Sequence, residues 1–375
     1  MTVIILTLLA TVLSGAVVYC ILIMVAARNY LKIPPPRKVT TEPVSILKPL
    51  FGADEGLEEN LRSFFLQDYA EFELLLAVNH EGEQGAMVAR KLMSEYPNVP
   101  ARLVVTGDSP RPNGKVFSLQ QMIHHARYDI LVMADSDIRV TAEMTSVLAS
   151  ELLDPAIGLV TCPYRAIPGE SFWSGLEAIG MNTEFLSGVL VARLLSGMDF
   201  ALGCTLAVRR NALEGIGGME ALENYLAEDF MLGKLVAQSG RRVILSSYVI
   251  EHRIGSQSFA ANVRHRLRWA RSTRRSRPWG YVGEVFTNPL PLALLMLFIA
   301  PASWPFVLLA AAFRAASAFA VAACVLHDPL TRRKFYLIPL QDIFSFATWV
   351  AGFFGNTIEW RGQKHVVLPN GMFQS

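Results

Sequence analysis

Apolar residues follow two regimes along this chain. Residues 2–27 contain no charge, and residues 285–327 contain a single one, Arg314. Between these blocks the apolar runs are short and alternate between strand and helix periodicity. Residues 44–47 read as a short strand, 72–78 as a continuous apolar strand, 102–105 as a strand and 129–134 as a buried strand. Leu57, Leu61, Phe64 and Phe65 recur at helical spacing after Asp54, a candidate N-cap, and residues 87–93 and 116–126 also read as helical. Strands that alternate with helices in this way predict an α/β fold, a doubly wound and mostly parallel sheet covered on both faces. Such sheets bind ligands beyond the carboxyl ends of their strands. Residues 185–195 form a further apolar stretch, read either as a core helix or as an interfacial helix that admits a lipid.

The first apolar block is long enough to cross about 30 Å of hydrocarbon as a helix. No basic residue precedes it and no small-x-small cleavage site is visible, so it reads as a retained transmembrane anchor rather than a removed signal. Arg28, Lys32, Arg37 and Lys38 follow it, around Pro34-Pro35-Pro36, and this positive flank predicts that the succeeding domain faces the cytoplasm. The second block divides near Pro301 and Pro305 into a membrane hairpin. Residues 335–354 either span or lie at the interface, because Gln341 and Asp342 interrupt them. Arg314 is expected to snorkel to a headgroup. The domain organisation read from this pattern is an anchor and linker over 1–40, a catalytic domain over 41–284 and a membrane region of two to three helices with a tail over 285–375.

Composition narrows the class further. With 52% hydrophobic and 18% charged residues among 375, and a mean hydropathy of +0.34, the chain is neither disordered nor an ordinary soluble enzyme. Cys20, Cys162, Cys204 and Cys324 are scattered with no C-x-x-C, which excludes a zinc ribbon and a disulfide scaffold. A formal charge of +2 gives no footprint for nucleic acid.

Four local patterns carry candidate chemistry. Asp135-Ser136-Asp137 leaves the strand at 129–134, where two carboxylates one residue apart present hard oxygen ligands suited to Mg2+ or Mn2+, and through the ion to a diphosphate. The same D-x-D occurs in solvated turns. Glu228-Asp229 opens a helical pattern and reads either as acids complementing the helix dipole or as a general base. Asn113-Gly114-Lys115 opens another, where backbone N–H groups and a lysine can approach phosphate, and Gly217-Gly218-Met219 suits a mobile loop over a sugar; either is equally a plain turn. A cluster from Arg264 to Arg277 precedes the second membrane block; most of its arginines are expected to meet anionic headgroups, while Arg268-Trp269 could clamp a phosphate and stack on a ring. No nucleophilic triad spacing, H-E-x-x-H or P-loop is present.

Taken in order, the anchor, V-S-I-L-K-P-L (44–50), D-S-D-I-R-V (135–140), A-E-D-F (227–230), H-R-L-R-W (265–269) and the membrane hairpin resemble the ceramide glucosyltransferase-like family over essentially the whole chain. Leu57-Glu58-Glu59-Asn60-Leu61, Arg139 and the closing Trp360-Arg361-Gly362 support the match, and Asp137 leans toward the bacterial hopanoid-biosynthesis branch. The resemblance implies a GT-A fold and inverting transfer of a sugar from a nucleotide-sugar donor to a lipid hydroxyl. It implies that Asp135 and Asp137 hold the metal, that Asp229 is the catalytic base, and that Lys48, Pro49, Glu81, Lys115, Asp135, Glu228, Arg268 and Trp269 serve the donor. Two departures stand out: the family's aspartate after the second strand is replaced here by Val78-Asn79-His80-Glu81-Gly82-Glu83, so that Glu81 or Glu83 is the candidate substitute, and His265 stands where Gln or Arg is usual.

The function implied is transfer of N-acetylglucosamine from its uridine diphosphate donor to a hopanoid polyol such as bacteriohopanetetrol, in a bacterial inner membrane. Its rivals are glucose transfer to ceramide and a non-catalytic lipid-binding or scaffold protein with a degenerate transferase domain.

Overall fold

A computed structural model describes residues 1–36, 40–52, 54–360 and 363–373. Arg37 and Lys38 of the basic flank, and Arg361-Gly362 of the closing motif, lie outside the described residues. The chain opens with α1 (Thr2–Tyr30). It alternates through β1 (Val44–Pro49), α2 (Leu57–Phe65), β2 (Phe72–Val78), α3 (Gln84–Glu95), β3 (Ala101–Val105), α4 (Gly114–His125) and β4 (Ile130–Ala134). Next come β5 (Ile138–Arg139), α5 (Met144–Glu151), β6 (Ile157–Thr161), β7 (Tyr164–Pro168), α6 (Phe172–Gly180) and α7 (Leu186–Ser196). β8 (Thr205–Arg209), α8 (Arg210–Glu214), α9 (Glu228–Gln238), β9 (Arg242–Leu245) and β10 (Ile250–Gly255) complete the strand-rich part. The remainder is α10 (Phe259–Ser276), α11 (Pro278–Gly283), α12 (Pro289–Ile299), α13 (Trp304–Ala318), α14 (Pro329–Arg333), α15 (Ile338–Gly352) and the hairpin of β11 (Thr357–Trp360) with β12 (Gln363–Val366).

Compactness divides the chain into a sheet unit (Pro34–Ile167 and Met198–Gly255) and a helical unit (Met1–Ile33, Pro168–Gly197 and Ser256–Gln374). These units cut across linear boundaries at 40/41 and 284/285, because 168–197 and 256–284 belong with the helices.

In the sheet unit, seven strands are ordered β3-β2-β1-β4-β8-β6-β9. β3, β2, β1 and β4 are parallel, with Leu47 of β1 level with Leu75 of β2 and Met133 of β4. β1, β2 and β4 are buried along their whole length and mostly apolar, whereas the edge strand β3 leaves Arg102 and Val105 exposed, and Leu47, Leu75, Leu131 and Leu159 are fully buried. β8 departs from the expected direction: it runs antiparallel to both β4 and β6, while β6 and β9 are parallel. A smaller sheet, β5-β10-β7, sets His252 of β10 opposite Ile138 of β5. The expected Asp54 cap of α2 is corrected. Gly56 occupies the N-cap in the left-handed region (φ 75°), a conformation that needs no Cβ, and the Asp54 carboxylate instead accepts a hydrogen bond from Ser136 Oγ.

Among the described residues of the helical unit, three stretches are long and apolar enough to cross a membrane: Thr2–Tyr30, Phe172–Ser196 and Pro301–Val325. The pair Pro278–Phe286 and Pro289–Ile299, bent by 60°, makes a fourth if read as one broken span. Residues 185–195 thus continue from α6 through a π-helical turn, Met181–Phe185, into α7. Arg314 does not snorkel. It is buried, its Nε and Nη2 donate to the Asp342 carboxylate at 2.9–3.0 Å, and Nη1 and Nη2 donate to the carbonyl and hydroxyl of Thr183. A guanidinium with an acidic partner inside the fold has no need of a headgroup. Gln341 is buried too, accepting from Arg266 Nη2 at 2.9 Å. Two arginines of the half-buried basic cluster on α10 meet protein backbone: Arg271 donates to the carbonyls of Phe354 and Thr357, and Arg274 to those of Phe353 and Gly355, in the segment that follows α15.

Candidate active site

Three segments bring charged side chains to the carboxyl end of β1 and β4, and a fourth lies beside them. The turn after β4 carries Asp135 and Asp137, α4 carries Lys115, α9 carries Glu228 and Asp229, and the residues entering β8 carry Gly203 and Cys204. α4 starts where it does because Asn113 caps it: its Oδ1 accepts from the N–H groups of Lys115 and Val116 at 3.1 and 3.2 Å. Those two N–H groups, expected from the sequence to be open to phosphate, are therefore already engaged. Asn113 Nδ2 reaches Glu228 Oε2 at 3.3 Å and the Tyr225 carbonyl at 2.8 Å, tying the start of α4 to that of α9.

Lys115 is the hub. Its Nζ lies 2.7 Å from Asp135 Oδ1 and 3.0 Å from Glu228 Oε1, and donates to the Gly203 carbonyl at 3.3 Å. Burial alone would depress its ammonium, but the Asp135 and Glu228 carboxylates outweigh that and hold it well above the usual range. Burial pushes Asp135 upward against the pull of Lys115, whereas for Glu228 the lysine wins over burial and the carboxyl falls below its ordinary value. Asp229, next to Glu228, is raised to about 6, first by burial and second by the Glu228 charge. Two adjacent carboxyls thus acquire different proton affinities, the separation expected of an acid–base site. Pro49, Lys115, Asp135, Gly203, Glu228 and Asp229 line one pocket, with Met219, which follows the positive-φ turn Gly217-Gly218, on its wall.

The D-S-D turn is held from below and from the side. Lys48 is fully buried. Its Nζ donates to the Asp135 carbonyl at 2.6 Å and lies 3.7 Å from the centre of the Phe64 ring, and burial lowers its ammonium to about 7. Its side chain is thus a prop beneath the turn, while its neighbour Pro49 reaches the pocket. Asp137 Oδ2 accepts from His252 Nε2 at 3.0 Å, its carbonyl accepts from the Arg253 N–H at 2.8 Å, and Asp135 N–H donates to the Cys204 carbonyl at 3.1 Å. Asp137 Oδ1 is buried and accepts no hydrogen bond among the described residues. An orphaned carboxylate oxygen beside Asp135 fits a cation ligand. Among the described residues no three His, Cys, Asp or Glu side chains converge as a preformed metal cluster.

The remaining expected residues are dispersed. Glu81 pairs with Arg90 at 2.9 Å on the surface, while Glu83 Oε1 accepts from the His80 N–H and lines a shallow pocket with Phe51, Gly52 and Gln84. Arg268 and Trp269 lie on α10 of the helical unit, with the Trp269 ring packed against Phe185 and His265. His265, assigned no role from sequence, bonds Glu177 at 2.6 Å through Nδ1. Sequence reasoning missed His252, the internal placement of Lys48 and the clasp of Asp54 on Ser136. For His252 a signal was present, since Ile250 and His252 share one face of β10 by strand alternation.

The switched sheet, with acidic turn and paired carboxylates at its carboxyl edge, defines a GT-A-like domain joined to membrane-type helices. In agreement, the mannosyltransferase PcManGT of Pyrobaculum calidifontis, solved with GDP-Man and Mn2+, superposes with a TM-score of 0.55 at 19% identity, covering 93% of this chain and 99% of that one. The chain belongs to glycosyl transferase family 21, whose profile matches residues 6–373. Ceramide glucosyltransferase 1 of Caenorhabditis elegans is 27% identical over 260 residues (68% of this chain), and ceramide glucosyltransferase 3 of the same organism 27% over 304 (78%). The matches span 55% and 65% of those two relatives' lengths.

Proposed function

We propose that this protein moves a hexose from a uridine diphosphate sugar to a hydroxyl of a membrane lipid, with inversion at the anomeric carbon. The observation that carries this reading is the convergence of Asp135, Lys115, Glu228 and Asp229 on one pocket, with Asp229 raised to about 6. A base of that affinity is largely ionised at neutral pH and takes the proton of an attacking hydroxyl. A single displacement needs one base and no second carboxylate as nucleophile. Lys115 and the D-S-D turn meet the departing diphosphate, where negative charge develops. Asp135 and Asp137 are the residues that would hold Mg2+ or Mn2+. Such an ion, when bound, neutralises diphosphate charge as a Lewis acid. Within the sheet unit, Pro49 and Glu81 or Glu83 complete the proposed donor contacts, and Lys48 serves the donor indirectly by supporting Asp135.

The family and the names of its curated relatives favour ceramide as acceptor and glucose as sugar over the hopanoid reading. Asp137 motivates the second reading, N-acetylglucosamine onto a hopanoid polyol. The apolar stretches, together with Arg28 and Lys32 after the first of them, support an integral membrane protein whose sheet unit faces the cytoplasm of a bacterial inner membrane. A non-catalytic scaffold would have no use for a base separated in proton affinity from its neighbour.

The test is a turnover matrix on full-length protein in detergent with Mg2+ or Mn2+, crossing UDP-glucose and UDP-N-acetylglucosamine with ceramide and bacteriohopanetetrol. Glycolipid is read by mass spectrometry, with Asp229→Ala as the control. Glucosylceramide lost in that variant is the expected result, and amino-sugar hopanoid would establish the second reading. Product made equally by Asp229→Ala would overturn the assignment of the base.

A further inference from the structure

Within the helical unit a second polar centre forms where two apolar helices leave their regular path. Glu184 lies on the π-helical turn Met181–Phe185, inside the apolar stretch Phe172–Ser196. Thr287 and Asn288 form the break between Pro278–Phe286 and α12. Glu184 Oε1 accepts from Asn288 Nδ2 at 2.9 Å and from Thr287 Oγ1 at 3.3 Å, and Oε2 accepts from Ser345 Oγ of α15 at 2.7 Å. Glu284 and Tyr19 of α1 stand within electrostatic reach of the same carboxylate. Ionisable groups and broken helices are costly in apolar segments and mark binding sites where they persist, and π-turns often do the same.

Asn288 carries the deciding atom. It is 3% exposed, and its Oδ1 is buried with no hydrogen-bond partner among the described residues. An asparagine before a helix ordinarily turns that oxygen onto the N–H of the second or third helical residue. Here Pro289 and Pro291 are the first and third residues of α12, the third position has no N–H to give, and Asn288 makes no cap bond. Nor can the amide be reversed. The Glu184 carboxylate only accepts, so Nδ2 must face it and Oδ1 is left needing a donor. We propose that Glu184, Asn288 and this break hold the polar end of the lipid acceptor, with Asn288 Oδ1 accepting from a hydroxyl or an amide N–H. An amide oxygen suits a neutral donor, and Arg277 already offsets part of the acidic charge. The inference rests on the reading of a lipid hydroxyl as acceptor and adds to it a residue that recognises the head of that lipid.

The experiment uses full-length protein in detergent with UDP-glucose or UDP-N-acetylglucosamine, against short-chain ceramide, its N-methyl amide and bacteriohopanetetrol. Wild type and Asn288→Leu are compared, with a thermal melt to check folding. In parallel a diazirine-bearing ceramide is photo-crosslinked to wild type and its adducts are mapped by mass spectrometry. Expected is an acceptor KM about tenfold higher in Asn288→Leu, the loss of one hydrogen bond, with donor KM little changed. Adducts are expected in Phe172–Ser196 and Pro289–Ile299, and unlabelled ceramide should compete them away. If the amide N–H is the donor, N-methylation raises KM in wild type but no further in the variant; if a hydroxyl is, the two changes add. Wild-type acceptor KM in a folded Asn288→Leu would overturn the inference, leave the transfer reading intact and assign Oδ1 to a structural water. Adducts confined to other segments would overturn it as well, whether or not the leucine variant folds. No turnover of any lipid by wild type would remove the acceptor reading, and the inference with it.

Discussion

Gly203 lies against Asp229 so closely that a β-carbon built on the glycine would stand 2.8 Å from Asp229 Oδ2 and 3.1 Å from its carboxyl carbon. The residue entering β8 thus sets the room available to the proposed base. Gly203→Ala is expected to push that carboxylate aside, and displacements of about 1 Å in a reacting group cost on the order of 100-fold. The expected outcome is a kcat lower by about 10- to 100-fold, with donor KM little changed. Steady-state kinetics beside a thermal melt checks this, and a variant with wild-type kcat would show that the base does not need the space.

Asp229 is raised to about 6, with burial the larger cause and Glu228 the second. Since only its ionised form accepts a proton, turnover should fall about tenfold per pH unit below about 6. Glu228→Gln removes a neighbouring negative charge that disfavours ionisation of Asp229. The acid limb of the pH–rate profile should then move to lower pH. A limb that stays in place, or moves up, contradicts the assigned coupling.

Lys115 neutralises Asp135 and Glu228 together. Lys115→Met leaves two mostly buried carboxylates facing each other without a cation. Breaking a fully buried pair costs about 3–5 kcal/mol, and the partial exposure of Asp135 places the expected loss toward the lower end. Adding Glu228→Gln should recover part of that loss. The coupling is read from a double-mutant cycle of unfolding free energies.

Arg314 and Asp342 form a similar pair in the helical unit, with both side chains essentially inaccessible. Arg314→Met alone should lower the melting temperature in detergent markedly, because Asp342 is left buried and uncompensated. The double variant Arg314→Met with Asp342→Leu should melt near wild type, since replacing both charges by apolar groups is often neutral or stabilising. A double variant as unstable as the single one would assign the cost to packing or to the lost bonds from Arg314 to Thr183.

The parts that were legible in the sequence are those written locally. β1, β2 and β4 are mostly apolar runs because both faces are covered, and the D-S-D turn and the Glu228-Asp229 helix start were visible where they fall. Strand direction is not written locally. Nothing in Thr205–Arg209 distinguishes an antiparallel strand from a parallel one, so the reversal of β8 appears only once its neighbours are known. The same holds for partners distant in sequence. Asp54 looked like a cap because a cap is the local use of an aspartate before a helix, and Arg314 looked solvent-seeking because its acid is 28 positions away. Arg271 and Arg274 looked like part of a headgroup patch because the carbonyls they meet are contributed by the segment after α15. His252 sits between two charged residues, a setting that disguises an inward-facing side chain.

The interleaving of the two units bears on how the protein can be made. A ribosome emits the first piece of the helical unit, most of the strands, a second apolar piece, the remaining strands and then the rest of the helices. β8, β6 and β9 cannot complete the sheet until Phe172–Ser196 has already emerged, so insertion of that hydrophobic stretch and closure of the sheet must be coordinated in time. For the same reason a fragment cut at 41 and 284 carries the apolar stretch Phe172–Ser196 and the basic α10 away from their helical companions. Secretion of such a fragment, or its expression without a bilayer or detergent, is expected to give aggregate rather than a free-standing catalytic domain.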